Sequence, residues 1–271
     1  MPVHLADKYR HLQQQLSDYT SAAIAFSGGV DSTLLLKVAA DSIGPDRVLA
    51  LTAVAPVFPA REIEQSRSLA EHCGVRQRLI EIQPLDLPEF AANHPQRCYH
   101  CKRHIYGHLL QQLDKAGQTV LFDGSNLDDQ QDYRPGHAAL KQLKVRSPLL
   151  EAGLTKQEVR DLSRQLELPT WDKPSFACLA TRFPYNHPIT AELLQRVDRC
   201  EDWLQRNGFQ QYRVRCHQQL ARVELDPVDF PRMLDPALRA EMSRFFQENG
   251  FDYVTLDLQG YRSGSMNEVL R

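Results

Sequence analysis

The 271-residue chain has no apolar run approaching the ~20 residues that a membrane-spanning helix needs, and its first stretch, MPVHLADKYRHLQQQL, lacks the hydrophobic segment of a secretory leader. It also lacks charge of one sign: 32 Lys and Arg stand against 34 Asp and Glu, a formal net charge of -2. Such a balance supplies no global field to draw nucleic acid or an anionic membrane. Six cysteines in a chain of this length, without a secretion signal, argue against a disulfide scaffold. The Walker pattern G-x-x-x-x-G-K-[ST] is missing as well, which argues against an ordinary γ-phosphate site. These absences lead to the expectation of a cytoplasmic chain with no membrane and no stable nucleic-acid partner. Its thiols would stay available for metal or sulfur chemistry.

What is there is a strand–helix rhythm. Short apolar runs at 21–26, 47–54, 78–82 and 119–123 read as strands, separated by amphipathic helices at 33–42, 60–73 and 99–116. Gly74 and Gly117 sit where helix-ending glycines belong. The segment 124–150 reads as loop-rich, and Thr155 with Glu158 forms a capping box that opens a helix over 155–166. Residues 169–189, with Pro169, Pro174, Pro184 and Pro188, read as a linker or a functional loop. Beyond them the pattern changes to a helix at 190–207, alternating strands at 212–217 and 221–225, a helix at 236–248 and a last strand at 253–258. The expectation is an α/β chain: a Rossmann-like domain with a parallel sheet over 1–186, and a smaller α+β domain over 187–271.

The strongest local signal is Ser27-Gly28-Gly29-Val30-Asp31-Ser32, between the first strand and the helix after it. Glycines let backbone come close to a ligand, and a helix N-terminus offers unpaired N–H groups and a positive dipole end. With two hydroxyls added, the loop is an anion cradle, and Asp31 can hold a magnesium ion bridging phosphate oxygens. The plain alternative is a Ser/Gly-rich helix cap with no ligand. The hexapeptide resembles the PP-loop of ATP pyrophosphatases, whose signature is SGGxDS. The resemblance implies that the loop grips the β- and γ-phosphates of ATP while cleavage between the α- and β-phosphates leaves AMP on the substrate.

Cys98-Tyr-His-Cys101 heads a predicted helix, and Cys178 lies inside Trp171-Asp-Lys-Pro-Ser-Phe-Ala-Cys-Leu-Ala-Thr-Arg182. A C-x-x-C alone reads as a redox pair, as half a zinc site completed by His100 or His104, or as part of an iron–sulfur site. Three cysteines without an evident fourth suit a 4Fe-4S cluster with one iron left open to an external ligand such as hydrosulfide. Cys73, Cys200 and Cys216 read as small buried hydrophobes.

At this point the chain resembles the LarE group of PP-loop sulfur transferases along nearly its whole length. The segments that carry the resemblance are AFSGGVDSTLLLKVA, CYHCK, LFDGSNLDDQQDYRPG, SPLLEAGLTKQEVR, WDKPSFACLATRFPY, YRVRCH with ARVEL, and DLQGYRSGSMNE. The first is shared by many ATP pyrophosphatases, whereas the tryptophan-containing stretch is far more diagnostic. The resemblance implies synthesis of the nickel-pincer nucleotide cofactor: a carboxylate of pyridinium-3,5-dicarboxylic acid mononucleotide is adenylated, and an oxygen is then replaced by sulfur. In some members the cysteine matching Cys178 gives up its own sulfur. In members with three cysteines, matched here by Cys98, Cys101 and Cys178, a 4Fe-4S cluster carries sulfide from an external donor. The cluster version is the expectation here, with Cys178 and Asp31 as catalytic residues, ATP and Mg²⁺ as cofactors, and a homo-oligomer as the working form.

For ATP and pyrophosphate the candidates are Ser27, Gly28, Gly29, Asp31, Ser32, Thr52, Gly124 and Asp128, joined at the carboxyl end of the fourth strand by Asp123, Ser125 and Asn126. By resemblance Arg182, Arg213 and Arg215 are the candidates for the substrate phosphate, a role that guanidinium forks suit. Trp171, Asp172, Lys173 and Ser175 precede Cys178, with Lys173 a candidate contact to phosphate or AMP, and Glu201 and Glu224 are candidates for a divalent metal. Three rivals stand beside this reading. A tRNA-thiolating enzyme would want a basic RNA surface, an ammonia-transferring synthetase would have no need of the three cysteines, and a non-catalytic nucleotide-binding or zinc-stabilised protein would never form an adenylate.

Overall fold

The computed structural model describes residues 3–130, 136–174, 177–262 and 264–266, and divides into two compact units. The first spans Met1–Leu87 and Gln96–Phe176, the second Pro88–Pro95 and Ala177–Arg271. The division at 176/177 lies upstream of the 186/187 boundary expected from the sequence, and the second unit also takes in Pro88–Pro95.

In the first unit α1 (Val3–Ser17) leads into β1 (Ala22–Ala25), α2 (Val30–Ile43), β2 (Val48–Val54), α3 (Ala60–His72) and β3 (Arg76–Glu81). After the second unit's single turn α4 (Pro88–Ala91) come α5 (Arg97–Ala116), β4 (Leu121–Phe122), α6 (Gly136–Gln142), α7 (Pro148–Glu151) and α8 (Lys156–Gln165). The four strands pair in parallel in the order β3-β2-β1-β4. Strands covered on both faces need unbroken apolar runs rather than alternation, and β1 (AAIA) and β2 (VLALTAV) have them. The edge strand β3 (RQRLIE) does not, and its side chains stay largely accessible. Helix α2 is apolar nearly all round, with Leu34, Leu35, Leu36, Val38 and Ala39 fully buried. Its core is shared with Leu12 and Leu16 of α1 and Val159 and Leu162 of α8.

The 124–150 stretch is not all loop, and α6 and α7 are found within it. Pro148 belongs to the stretch expected to be loop-rich. At the first position of a helix its missing N–H costs nothing, so it starts α7 instead. The capping box at α8 forms as expected, with both the Thr155 hydroxyl and the Glu158 carboxylate in place. Lys8 of α1 donates to both Glu158 oxygens at 2.8 and 2.7 Å and to the Gly153 carbonyl at 2.7 Å, which pins that helix start to the body of the unit.

The second unit contains α9 (Ala191–Arg206), β5 (Tyr212–His217), β6 (Leu220–Leu225), α10 (Pro236–Glu248) and β7 (Tyr253–Leu256). Strands β5 and β6 form an antiparallel hairpin through Gln218, which adopts φ 57°, and β7 adds in parallel to β6 after α10. Leu194, Val197 and Leu204 of α9 pack with Tyr212, Val214, Val223 and Leu225 in a fully buried core. Among the described residues no helix is long and apolar enough to cross a membrane.

Candidate active site

In the strand order β3-β2-β1-β4 the chain first builds to one side of β1 and then returns to its other side. The carboxyl ends of β1 and β4 therefore flank a topological switch point, where open α/β sheets form their ligand crevice. The 27–32 loop leaves β1 there, and the 123–130 segment leaves β4 beside it. Their approach is close enough to exclude a side chain: a Cβ on Gly124 would lie 3.0 Å from the Ser32 nitrogen and 3.3 Å from the Asp31 Cβ. Gly28 holds the turn at φ 70°, with Ser66 of α3 so near that a Cβ would meet its Cβ at 3.1 Å.

Ser27 and Ser32 face each other at 3.2 Å between hydroxyl oxygens, and the Ser32 hydroxyl donates to the Gly29 carbonyl at 3.2 Å. Gly29 is the N-cap of α2 and no side chain caps it, which leaves that helix end open to an anion. Asp31, in the first turn, is gripped by two partners. The Asn126 amide donates to Oδ1 at 2.9 Å, and the Lys156 ammonium ion-pairs with Oδ2. Asp128 accepts the Lys156 backbone N–H at 3.0 Å, and its own N–H donates to Asn126 Oδ1 at 3.0 Å. Asp123 is buried, accepts from Ser125 at 2.6 Å and from the Ser147 hydroxyl, and so shapes the floor behind Gly124.

Lys173 is brought to the loop itself. Its ammonium donates to the Gly28 carbonyl at 3.0 Å and to Gln65 at 2.7 Å, and it ion-pairs with Glu62 at 2.8 Å. Trp171 and Asp172 are exposed, and Ser175 lies outside the described residues. Thr52 is turned inward: its buried hydroxyl donates to the Phe26 carbonyl at 2.7 Å and accepts from Gln77 at 2.8 Å. It ties β2 to the end of β1. Lys156 is the residue that sequence reading missed. The capping box fixed the start of its helix, but nothing local announced that its side chain would meet a carboxylate 125 positions earlier.

Cys98 and Cys101 lie one helical turn apart at the head of α5, the first exposed and the second buried, and Cys178 belongs to the second unit. None of the six cysteines is in a disulfide. Burial pushes the thiols of Cys73, Cys200 and Cys216 up to about 11, 12 and 11, so these three stay protonated and inert. Among the described residues no three His, Cys, Asp or Glu side chains are gathered to hold a metal ion.

The second unit has a charged interior of its own. Arg182 and Glu201, both fully buried, form a two-pronged pair, Nε to Oε1 and Nη2 to Oε2, each 2.8 Å. The remaining nitrogen of Arg182 donates to the carbonyls of Ala177 at 2.8 Å and Cys178 at 3.3 Å, and so fixes the backbone that carries the Cys178 thiol. Arg215 pairs with Glu224 at 2.7 Å and donates to Ser265 at 2.9 Å and to the Thr181 carbonyl at 2.9 Å. Arg222 adds a second cation to Glu224, at 3.1 Å. The carboxylates of Glu201 and Glu224 are thus taken by arginines, and the divalent-metal role expected for them is replaced by ion pairing. Arg213 lies buried over the Tyr261 ring at 4.9 Å, and burial followed by the like charge of Arg182 pushes its guanidinium down to about 10. The alternation at 212–217 is that of a half-buried strand, yet Tyr212–Cys216 are all buried, arginines included.

Comparison with known proteins narrows the reading. The NAD synthase family model matches residues 5–98, the part that holds β1, the loop and the first three strands. An uncharacterized protein of Synechocystis is 44% identical over 98% of this chain and 99% of its own length. The pyridinium-3,5-bisthiocarboxylic acid mononucleotide synthase of Lactiplantibacillus plantarum is 36% identical over 98% of this chain and 96% of its own. The chain belongs to the LarE family. It is an ATP-dependent PP-loop enzyme, and the architecture is the α/β fold expected for one. By contrast, the NH(3)-dependent NAD(+) synthetase of Hyperthermus butylicus matches only 23% of this chain, at 40% identity. The likeness to NAD synthases is confined to about the first third of the chain, whereas the two relatives above match over 98% of it, a span that takes in the cysteine and arginine segments.

Proposed function

We propose that the chain adenylates a carboxylate of pyridinium-3,5-dicarboxylic acid mononucleotide and converts it to a thiocarboxylate, for nickel-pincer nucleotide synthesis. The observation that carries this reading is an uncapped helix N-terminus with Asp31 in its first turn, set at a sheet switch point, in a chain whose full-length relative is named for that product. A carboxylate resists a sulfur nucleophile because its leaving group would be oxide. Adenylation converts that oxygen into a phosphate-ester leaving group, after which sulfur attacks the acyl carbon and AMP departs. Ser27, Gly28, Gly29 and Ser32 would hold the pyrophosphate half of ATP, with Gly124 giving the loop room and Asp128 fixing the start of α8. The Asp31 carboxylate already binds one cation, the Lys156 ammonium, and its chemistry fits Mg²⁺, which would offset the charge of the phosphate oxygens. Thr52 supports the crevice from inside the sheet, while Lys173 sets the position of the Gly28 carbonyl.

For the mononucleotide phosphate the assignment falls on Arg213 and Arg215, while Arg182, whose nitrogens are taken by Glu201 and the Ala177 and Cys178 carbonyls, serves by holding the backbone beside them. Arg215 Nε is buried without a hydrogen-bond partner, and Arg213 is held in a setting that disfavours its own charge. An anion relieves both. Cys178 is the proposed catalytic thiol, its backbone held by Arg182. Cys98, Cys101 and Cys178 have the donor chemistry for a 4Fe-4S cluster, which would supply an open iron to carry sulfide from an outside donor. The exposed Val228, Leu234 and Leu258 of the second unit suit a homo-oligomer.

The test is anaerobic purification with iron and sulfide analysis, then turnover with ATP, the pyridinium mononucleotide and added sulfide. The expected result is AMP, pyrophosphate and thiocarboxylate, with repeated turnover and unchanged protein mass. Loss of one sulfur and two hydrogens at Cys178 would replace the cluster version with self-sacrifice, and absence of pyrophosphate release would overturn the reading.

A further inference from the structure

The loop that should grip phosphate contains no lysine, yet a lysine is delivered to it from elsewhere in the chain. Lys156 is the first residue of α8, and its position is set three times over. The Thr155–Glu158 capping box fixes the helix start, Lys8 locks that box to α1, and Asp128 accepts the Lys156 N–H. From this anchored backbone the ammonium reaches Asp31 and makes an ion pair that is about three-quarters shielded from water on both sides, with side-chain exposures of 28% and 22%. The second oxygen of Asp31 is held by Asn126. One carboxylate is thus fixed between a neutral donor and a mobile cation, at the N-terminus of a helix where anions gather.

We infer that Lys156 is a resident counter-ion of the nucleotide site: it holds the place of the divalent cation on Asp31 and moves to the incoming phosphates when that cation arrives. This rests on the proposed reading of Asp31 as a magnesium-binding residue. Metal and ammonium compete for one carboxylate. A carboxylate left bare beside a phosphate cradle repels nucleotide, and a nearby ammonium cancels that repulsion in the absence of metal. The same ammonium must be displaced before a metal can bind, so it mutes the gain that metal gives. Lysine suits such a role better than arginine because its ammonium is a point charge on a flexible stem and re-aims without losing a two-pronged geometry. Lys156 acts on the metal through Asp31, and is in that respect a positioning residue.

The experiment is calorimetric binding of α,β-methylene ATP, an uncleavable analogue, with and without Mg²⁺, on the full chain. The readout is the ratio of the two affinities, a coupling between metal and nucleotide that is independent of turnover. In Lys156→Met the expected ratio is about tenfold above wild type: metal-free binding loses the ammonium that screens Asp31, whereas with metal the lost phosphate contact is offset by a carboxylate that the metal takes uncontested. Lys156→Arg, which keeps the charge, is expected to restore metal-free binding. In an Asp31→Asn background the Lys156→Met change is expected to leave the ratio alone. An unchanged ratio in Lys156→Met, or the same shift in the Asp31→Asn background, overturns the inference. A wild-type protein that binds no nucleotide under either condition overturns the ATP reading instead. Lys156→Met with an unaltered thermal midpoint but a lower ratio also overturns it.

Discussion

Asp31 and Glu201 are both carboxylates held by a cation, but the two units of the chain place them in different media. Asp31 sits in an open crevice, and its lysine partner is a flexible side chain with a quarter of its surface still in water. Glu201 and Arg182 are entirely enclosed, with two parallel hydrogen bonds and a third from the Val214 N–H at 3.0 Å. The first arrangement is partly open to water, where an ion pair exchanges partners at little cost. The second is structural in cost and functional in direction, since the buried guanidinium also fixes the Cys178 carbonyl. A buried ion pair contributes little net stability against an apolar pair, yet removing one partner leaves a charge with nowhere to go.

The largest effect is therefore expected from Glu201→Ala, which strands Arg182. Denaturant unfolding should show a loss of about 3–5 kcal/mol. The acid limb sharpens the same point. Burial pushes the Glu201 carboxyl up, but the charge and hydrogen bonds of Arg182, with Arg213 and the Val214 N–H, more than offset it and leave it below its usual range. A folded-state value below the unfolded one means that this stability is present at neutral pH. It drains as pH falls below about 4.3 toward the folded-state value. Stability curves measured from pH 7 downward should be flatter there in Glu201→Gln than in wild type.

Gly28→Ala comes next. It forces a side chain into φ 70° and against Ser66, at roughly 1–2 kcal/mol, and should weaken ATP binding more than it lowers the melting temperature. Thr155→Ala removes a helix cap, with an expected loss of about 1 kcal/mol. At the small end, Arg206→Ala removes a pair with Asp202 in which the arginine is 78% exposed. It should change unfolding by less than about 0.5 kcal/mol. If Arg206→Ala matched Glu201→Ala, the contrast between enclosed and open charge would fail.

The legibility of the two units in the sequence differs for the same reason. The nucleotide loop was readable because every part of it is local: a strand, two glycines, an aspartate and a helix start, all within Ala22–Ile43. Cys73, Cys200 and Cys216 were readable as buried hydrophobes from their place in a helix end, a helix and a strand. Arg213 and Arg215 share one strand face by the period of two, but period says nothing about what covers that face. The tertiary structure buries both and supplies Glu224 and Tyr261 as neighbours. Glu201 read as a metal ligand because its arginine lies 19 positions earlier, in a stretch without regular pattern. The α7 turn was missed because proline breaks helices everywhere except at their start.

By itself the sequence determined the α/β rhythm, the apolar strands that demand a covered parallel sheet, the glycine-rich loop at a helix start and the chemical character of its thiols. These follow from short-range backbone geometry and from residue chemistry, which neighbours in the chain already specify. Only the tertiary structure decided which cation each carboxylate meets, Lys156 for Asp31 and Arg182 for Glu201. Coulombic partners are chosen by proximity in space and by exclusion of water, and neither is written in the spacing of residues along the chain.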